Sequence, residues 1–225
     1  MSYTKRIVCF ANSRKLTGRC VAGREWDGLV FGPWIRPVSA RERGELTSER
    51  WYDKTWRDPR LLDVIEMELR EPRPSGCQTE NHLIDRNVRW KNFGRISLRA
   101  VSAAIDRPSG PLWANGDSTG CGRNDRVPAP VAEREEYSLT LVQPEHLVMV
   151  LGAEGEGRRR VRGRFSLAGH DYALVVTDPV VEQKFRQSSD GATIELNRPV
   201  LCISLSERFP SQNACYKLIA AVMCA

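Results

Sequence analysis

The amino-acid sequence predicts a mainly β protein, built as two tandem five-stranded β-barrels with short helices. Three observations carry that reading. Apolar residues recur with period two in several segments, the pattern of a strand with one buried face. A strand–strand–strand–helix–strand–strand order occurs twice along the chain. A stretch rich in Pro, Gly, Asn and Ser, residues 106–136, separates the two occurrences. The 225 residues suffice for two domains of about 100 residues each, and 41% apolar content suffices for their cores.

The C-terminal half shows the pattern most cleanly. His146–Gly152 (HLVMVLG) is a short apolar run and the first strand. The turn AEGEG leads into Arg158–Leu167 (RRRVRGRFSL), which alternates. Arg159, Val161, Gly163, Phe165 and Leu167 take one face, and Arg158, Arg160, Arg162, Arg164 and Ser166 the other. AGHD turns the chain into Tyr172–Thr177, closing a hairpin. Asp178 followed by Pro179 supplies an N-cap side chain and a proline at the first helical position, so a helix runs through VVEQKFRQ. A polar turn follows, and Pro199–Leu205 and Cys215–Met223 are the last two strands.

The N-terminal half repeats the order. Lys5–Ala11, Gly18–Ala22 and Leu29–Val38 are its first three strands, and Ser39 caps a short helical or irregular stretch near Arg41–Arg50. Asp63–Arg70 alternates, with Ile65, Met67 and Leu69 inward and Glu66, Glu68 and Arg70 outward; His82–Trp90 is the fifth strand. A helix over about Ser97–Ile105 carries Leu98, Val101 and Ile105 on one face. One helix between the third and fourth strands is how an OB-fold is strung. The expected domains are therefore an OB-like barrel at 1–105, an ordered connecting loop at 106–136 that carries Trp113, and a second OB-like barrel at 137–225.

Composition narrows the function classes. No stretch approaches the ~20 apolar residues that span a bilayer, and the N-terminus lacks a secretory pattern, so the expected location is cytoplasmic. Seven cysteines without a CxxC pair argue against a zinc ribbon or a disulfide scaffold. P-loop, G-x-G-x-x-G and HExxH motifs are absent. The net charge of +6 is uneven. Residues 1–135 hold 24 Lys and Arg against 18 Asp and Glu, and residues 136–225 hold 10 of each. A basic half favours polyanionic partners.

Six segments taken together carry a family resemblance: KRIVCFANSRKLTGRCVAG, WIRPVS, QTENHLID, LWANGDSTGCGRNDRV, YALVVTDP and CYKLIAAV. In that order, and over nearly the whole chain, they resemble the bacterial dual OB-containing domain family. The resemblance implies two OB units and a role in sensing nucleic acids or nucleotides in bacterial defence (conflict) systems. It carries over no catalytic residue.

Candidate binding residues follow from charge and aromatic placement. OB-folds bind oligomers on strands two and three, between the loops that flank them. Asn12–Arg19 (NSRKLTGR) reads as the loop joining strands one and two, with Arg14, Lys15, Arg19 and Arg24 in or beside it, and Trp34 and Arg36 nearby on strand three. The alternative is a solvated basic turn with Trp34 in the core. The arginine ladder Arg158, Arg160, Arg162 and Arg164 projects from one face at a spacing of about 6.6 Å. Like charges so placed call for an anionic neighbour: a nucleic-acid backbone, the chain's own acidic residues such as Glu66 and Glu68, or a partner protein. Trp113, Asn124, Asp125 and Arg126 are further contributors from the long loop. GDSTG at 116–120 matches GxSxG by chance, because no apolar strand precedes Ser118 to form a nucleophile elbow. His82 with Glu80, Asn81 and Asp85 lacks a third ligand at metal spacing and reads as a polar strand end.

These features point to a non-catalytic protein that binds nucleic acid or nucleotides, with no cofactor and no metal. An adaptor that uses OB surfaces to hold a protein partner is the second reading, and a metal-dependent nuclease or hydrolase the third.

Overall fold

The computed structural model describes residues 2–224, and the chain divides into two compact units, 1–104 and 105–225. The architecture is mainly β with few helices: a closed barrel in the first unit and a second sheet in the other. Residues 106–136 fall within the second unit.

The first unit contains β1 (Tyr3–Lys15), β2 (Gly18–Trp26), β3 (Phe31–Val38), β4 (Asp63–Pro72), β5 (Asn81–Ile84) and β6 (Lys91–Arg95). The order β1-β2-β3-β5-β4 returns to β1, with β3 and β5 parallel and the other pairs antiparallel. Closure depends on β1. Its first half pairs with β4 from Tyr3↔Leu69 to Val8↔Val64, and its second half pairs with β2 down to Lys15↔Gly18. Ile7 and Val8 pair on both edges, and just beyond them lies a bulge between Cys9 and Ala11, where a strand bends and its twist increases. Gly23 faces Cys9 across that bulge, and a Cβ there would lie 2.0 Å from the Val8 carbonyl oxygen. Ile7, Val21, Ile35, Met67, Leu69 and Trp90 fill the interior, and the inward assignment of Ile65, Met67 and Leu69 holds.

Several boundaries differ from the sequence expectation. Asn12–Arg19 is not a loop: β1 runs to Lys15 and β2 resumes at Gly18, leaving a tight turn in which Leu16 takes φ +50°. The expected strand His82–Trp90 shortens to β5, which ends at Ile84, and an unpredicted strand, β6, follows it and pairs with the same edge of β4 as β5. The helices at 41–50 and 97–105 shrink to 3₁₀ turns, Ser48–Arg50 and Leu98–Ala104. In the second, Val101 and Ala104 are buried, three residues apart as that geometry requires.

The second unit contains β7 (Arg126–Pro128), α1 (Ala129–Ala132), β8 (Leu139–Val142), β9 (His146–Glu154), β10 (Arg158–Leu167), β11 (His170–Val176), α2 (Pro179–Lys184), β12 (Thr193–Asn197), β13 (Val200–Leu205) and β14 (Ala214–Met223). The path β9-β10-β11-β14-β13 repeats the order of the first unit, including the parallel pair, here β11 with β14. Its ends are extended: β9 takes β12 and β13 takes β8, giving the order β12-β9-β10-β11-β14-β13-β8, with β7 on β14. The predicted five strands are present, and three more join them. Val161 and Phe165 are buried as expected, whereas Leu167 is only half-buried. Asp178 caps α2 by accepting from the Val180 N–H at 2.9 Å, and its other oxygen accepts from the Val222 N–H at 3.0 Å, tying the helix to β14.

Gly23→Ala tests the closure argument. The added methyl has no room against the Val8 carbonyl, and overpacking of this kind costs about 1–3 kcal/mol. Urea unfolding should show a lower midpoint for the first unit; an unchanged midpoint would mean that β1 does not need the close approach.

Candidate functional site

A cleft of about 610 Å³ opens on the second unit over β10, β11 and β14. Strand alternation explains its floor. Val161 and Phe165 point into the core, so Arg158, Arg160, Arg162 and Arg164 point the other way. The first three of these line the cleft; Arg164 lines a separate hollow of about 620 Å³ with Arg123, His146 and Asp171. Exposed Cys121 borders both.

Arg162 is the organising side chain. Its Nη1 lies 2.9 Å from Asp125 Oδ2 and 3.0 Å from the Ala173 carbonyl, and its Nε lies 2.5 Å from Glu154 Oε1. Arg160 approaches Glu154 at only 3.9 Å. The ladder is thus partly neutralised by its own chain. The acids that do so are Glu154 and Asp125, not the Glu66 and Glu68 face: Glu66 pairs with Arg6 at 2.8 Å and Lys91 at 3.5 Å.

Asp125 is 2% exposed, and its carboxylate also accepts from the Thr119 N–H at 2.8 Å and the Thr119 hydroxyl at 2.6 Å. A Cβ on Gly122 would lie 1.8 Å from that carboxylate, so only glycine fits there. The flanking residues lock the rest of the loop. Arg126 grips Asp117 with two bonds of 2.9 and 2.6 Å. Asn124 accepts from the Gly116 N–H and donates to the Asp171 carbonyl, each at 2.9 Å. The indole N–H of Trp113 donates to the Tyr137 carbonyl at 2.9 Å. Trp113, Asn124, Asp125 and Arg126 therefore hold the loop as a wall of the cleft. Ser118 sits inside this loop, where its hydroxyl accepts from the Asn124 N–H at 2.9 Å.

Sequence reasoning missed Lys217, which is 1% exposed. Its ammonium donates to the Ala114 carbonyl at 2.5 Å and to Asn115 Oδ1 at 2.9 Å, and lies 5.3 Å from the centre of the Tyr172 ring. Burial pushes its pKa down to about 8, against the opposing pull of Asp125 and Glu135. A single cation within the apolar run CYKLIAAV was the available signal. Also missed were Phe209 and Tyr216 in the same cleft, packed edge to face at 5.2 Å, and Gln212, which accepts a hydrogen bond from the Tyr216 hydroxyl.

The first unit does not gather its expected residues into one site. Arg14 and Arg19 face each other across the β1–β2 hairpin, with Lys15 at its tip. Arg24 lies 5.6 Å from the centre of the Trp34 ring and donates to the Ala104 carbonyl at 3.0 Å, while Phe10 packs edge-on against the same ring. Arg36, expected on a binding face, is instead 1% exposed, with Nη2 2.9 Å from Glu80. The His82 group is likewise dispersed. His82 Nδ1 lies 2.5 Å from the Tyr3 hydroxyl, Glu80 holds Arg36, and Asp85 faces Arg70 at 3.4 Å. Burial lowers the pKa of His82. Among the described residues, no group of three His, Cys, Asp or Glu side chains is placed to hold a metal ion.

Arg162→Leu removes the one cation that serves both carboxylates. Breaking a buried pair from one side costs about 3–5 kcal/mol. The second unit should unfold at lower urea, and hydrogen exchange should accelerate across residues 115–125; unchanged exchange there would show that the loop is held by other contacts.

No curated protein and no solved structure gives a significant match. A family model described as a dual OB-containing domain matches residues 5–222, nearly the whole length, in agreement with the repeated strand order of the two units. The chain belongs to the dual OB-containing domain family.

Proposed function

We propose that this protein binds nucleic acid or a nucleotide through the cleft of its second unit, with no chemistry of its own. One observation carries the reading: three arginines and the buried Lys217 line the cleft against two carboxylates, Asp125 and Glu154, and Arg162 is bonded to both. The lining thus holds four cations against two carboxylates, although the second unit as a whole holds 14 Lys and Arg against 15 Asp and Glu. β10 and β11 are the second and third strands of the OB order, the face on which such folds bind oligonucleotides. What supports a role in a bacterial defence system is the family resemblance. No helix among the described residues is long and apolar enough to cross a membrane, and the reading places the protein in the cytoplasm with such ligands.

A protein-adaptor role is the second reading. It is favoured by the β2–β3 turn, where Leu29 and Val30 are 87% and 64% exposed beside the tilted ring pair of Trp26 and Phe31.

Fluorescence anisotropy with a labelled single strand over a salt series separates the two. The double variant Arg158→Ala/Arg160→Ala should weaken binding and flatten the salt slope by about 1.4 units if each arginine meets one phosphate. A slope flattened instead by Arg14→Ala/Lys15→Ala would move the contact to the first unit. No binding at low salt would leave the adaptor reading.

A further inference from the structure

The two ends of the cleft differ in chemistry. At one end stand Phe209 and Tyr216, the first 39% exposed. At the other stand Arg158 and Arg160, both exposed. Strand register fixes the distance between them. Arg162 pairs with Val175, and Val175 with Leu218, so these three lie at one level. Tyr216 lies two residues to one side of that level and Arg160 two residues to the other. Their backbones are therefore about 13 Å apart along the strand direction, a span that long arginine side chains shorten. One nucleotide, with its ring at one end and its phosphates at the other, matches that span.

Resting on the binding reading above, we infer that the cleft takes a single unpaired nucleotide, base against Phe209 and Tyr216 and phosphate on Arg158 and Arg160. Four observations converge on this. The volume, about 610 Å³, lies in the range of small-ligand sites and far below what a duplex occupies. Aromatic rings offer a stacking surface that only an unpaired base can use, because a duplex covers its base faces. The Gln212 side-chain oxygen accepts from the Tyr216 hydroxyl, which orients the amide beside that ring, and its NH2 group supplies two donors that suit a base edge carrying an acceptor. Arg162 and Lys217 are held by Glu154, Asp125, Ala114 and Asn115, whereas Arg158 and Arg160 are exposed, so the solvent-facing cations of the lining stand at the end away from the rings. The ligand is then a free nucleotide or an exposed nucleotide of a single strand.

Competition titrations with the full chain test this, using four probes: a nucleoside triphosphate, a short single-stranded oligonucleotide, its blunt duplex, and inorganic tripolyphosphate. The triphosphate or the single strand should bind at least tenfold more tightly than both the duplex and tripolyphosphate. Tight binding of the triphosphate alone identifies a free nucleotide as the source; tight binding of the strand alone identifies a strand. Phe209→Ala, on an exposed side chain, should weaken the favoured probe roughly five- to hundredfold and leave the salt slope in place, since stacking releases no counterions. Tyr216→Phe should lose discrimination among bases while it keeps tripolyphosphate binding unchanged. Tripolyphosphate or duplex binding as tightly as the favoured probe, with Phe209→Ala silent, would overturn the inference and leave a plain anion site. Failure of all four probes at low salt would remove the binding reading itself.

Discussion

The contact of Arg162 with Asp125 and Glu154 is the constraint on which the second unit depends. The side chains are 11%, 3% and 15% exposed, so all three charges have largely left water. Burying charge is costly unless every polar atom finds a partner. Here the partners come from three places in the chain: β9 supplies Glu154, the long loop supplies Asp125, and β11 supplies the Ala173 carbonyl. The loop carrying Asp125 then has one available position, on the outer face of β10 and β11. Gly122 and Thr119 are shaped around the same carboxylate, and Lys217 secures the earlier part of the loop at Ala114 and Asn115. An apolar replacement of such a network often leaves stability intact. What the ions supply here is register: they decide where a segment without long secondary structure must lie.

The same strand order thus produces two different objects. In the first unit a thirteen-residue β1 reaches both neighbours, bends at the Cys9–Ala11 bulge and closes the barrel against Gly23. In the second unit the ends of the path accept β12 and β8, so additional strands extend the sheet. The loop before β7 then walls the face formed by β10, β11 and β14, and a polar cleft results where the first unit has pairs of side chains already engaged with one another, such as Arg24 with Trp34 and Arg36 with Glu80.

Local pattern made much of this legible. The alternation in RRRVRGRFSL separated core from ladder between Arg160 and Ser166 and failed at Arg159, which is exposed, and Asp178–Pro179 marked the start of α2. The misplaced side chains share a cause, which is contact over long sequence distance. Arg162 and Asp125 are 37 residues apart, and Arg36 and Glu80 are 44 apart; no periodicity announces such a partner. Arg36 resembled a surface cation for that reason. The strands that went unread were short or weakly patterned: β6 is exposed along its whole length, β7 has three residues ending in proline, β8 is four buried residues, and β12 alternates but is half-exposed. Asn12–Arg19 looked like a loop because a leucine, not a glycine, takes the left-handed turn position.

The account stands or falls on where a ligand sits. A backbone amide NMR titration with the tightest-binding nucleotide or single strand answers that directly. Shift changes should concentrate at residues 119–125, 154–162 and 209–218, with the first unit unaffected. Changes centred on Arg14, Lys15, Arg24 and Trp34, with the second unit silent, would contradict it.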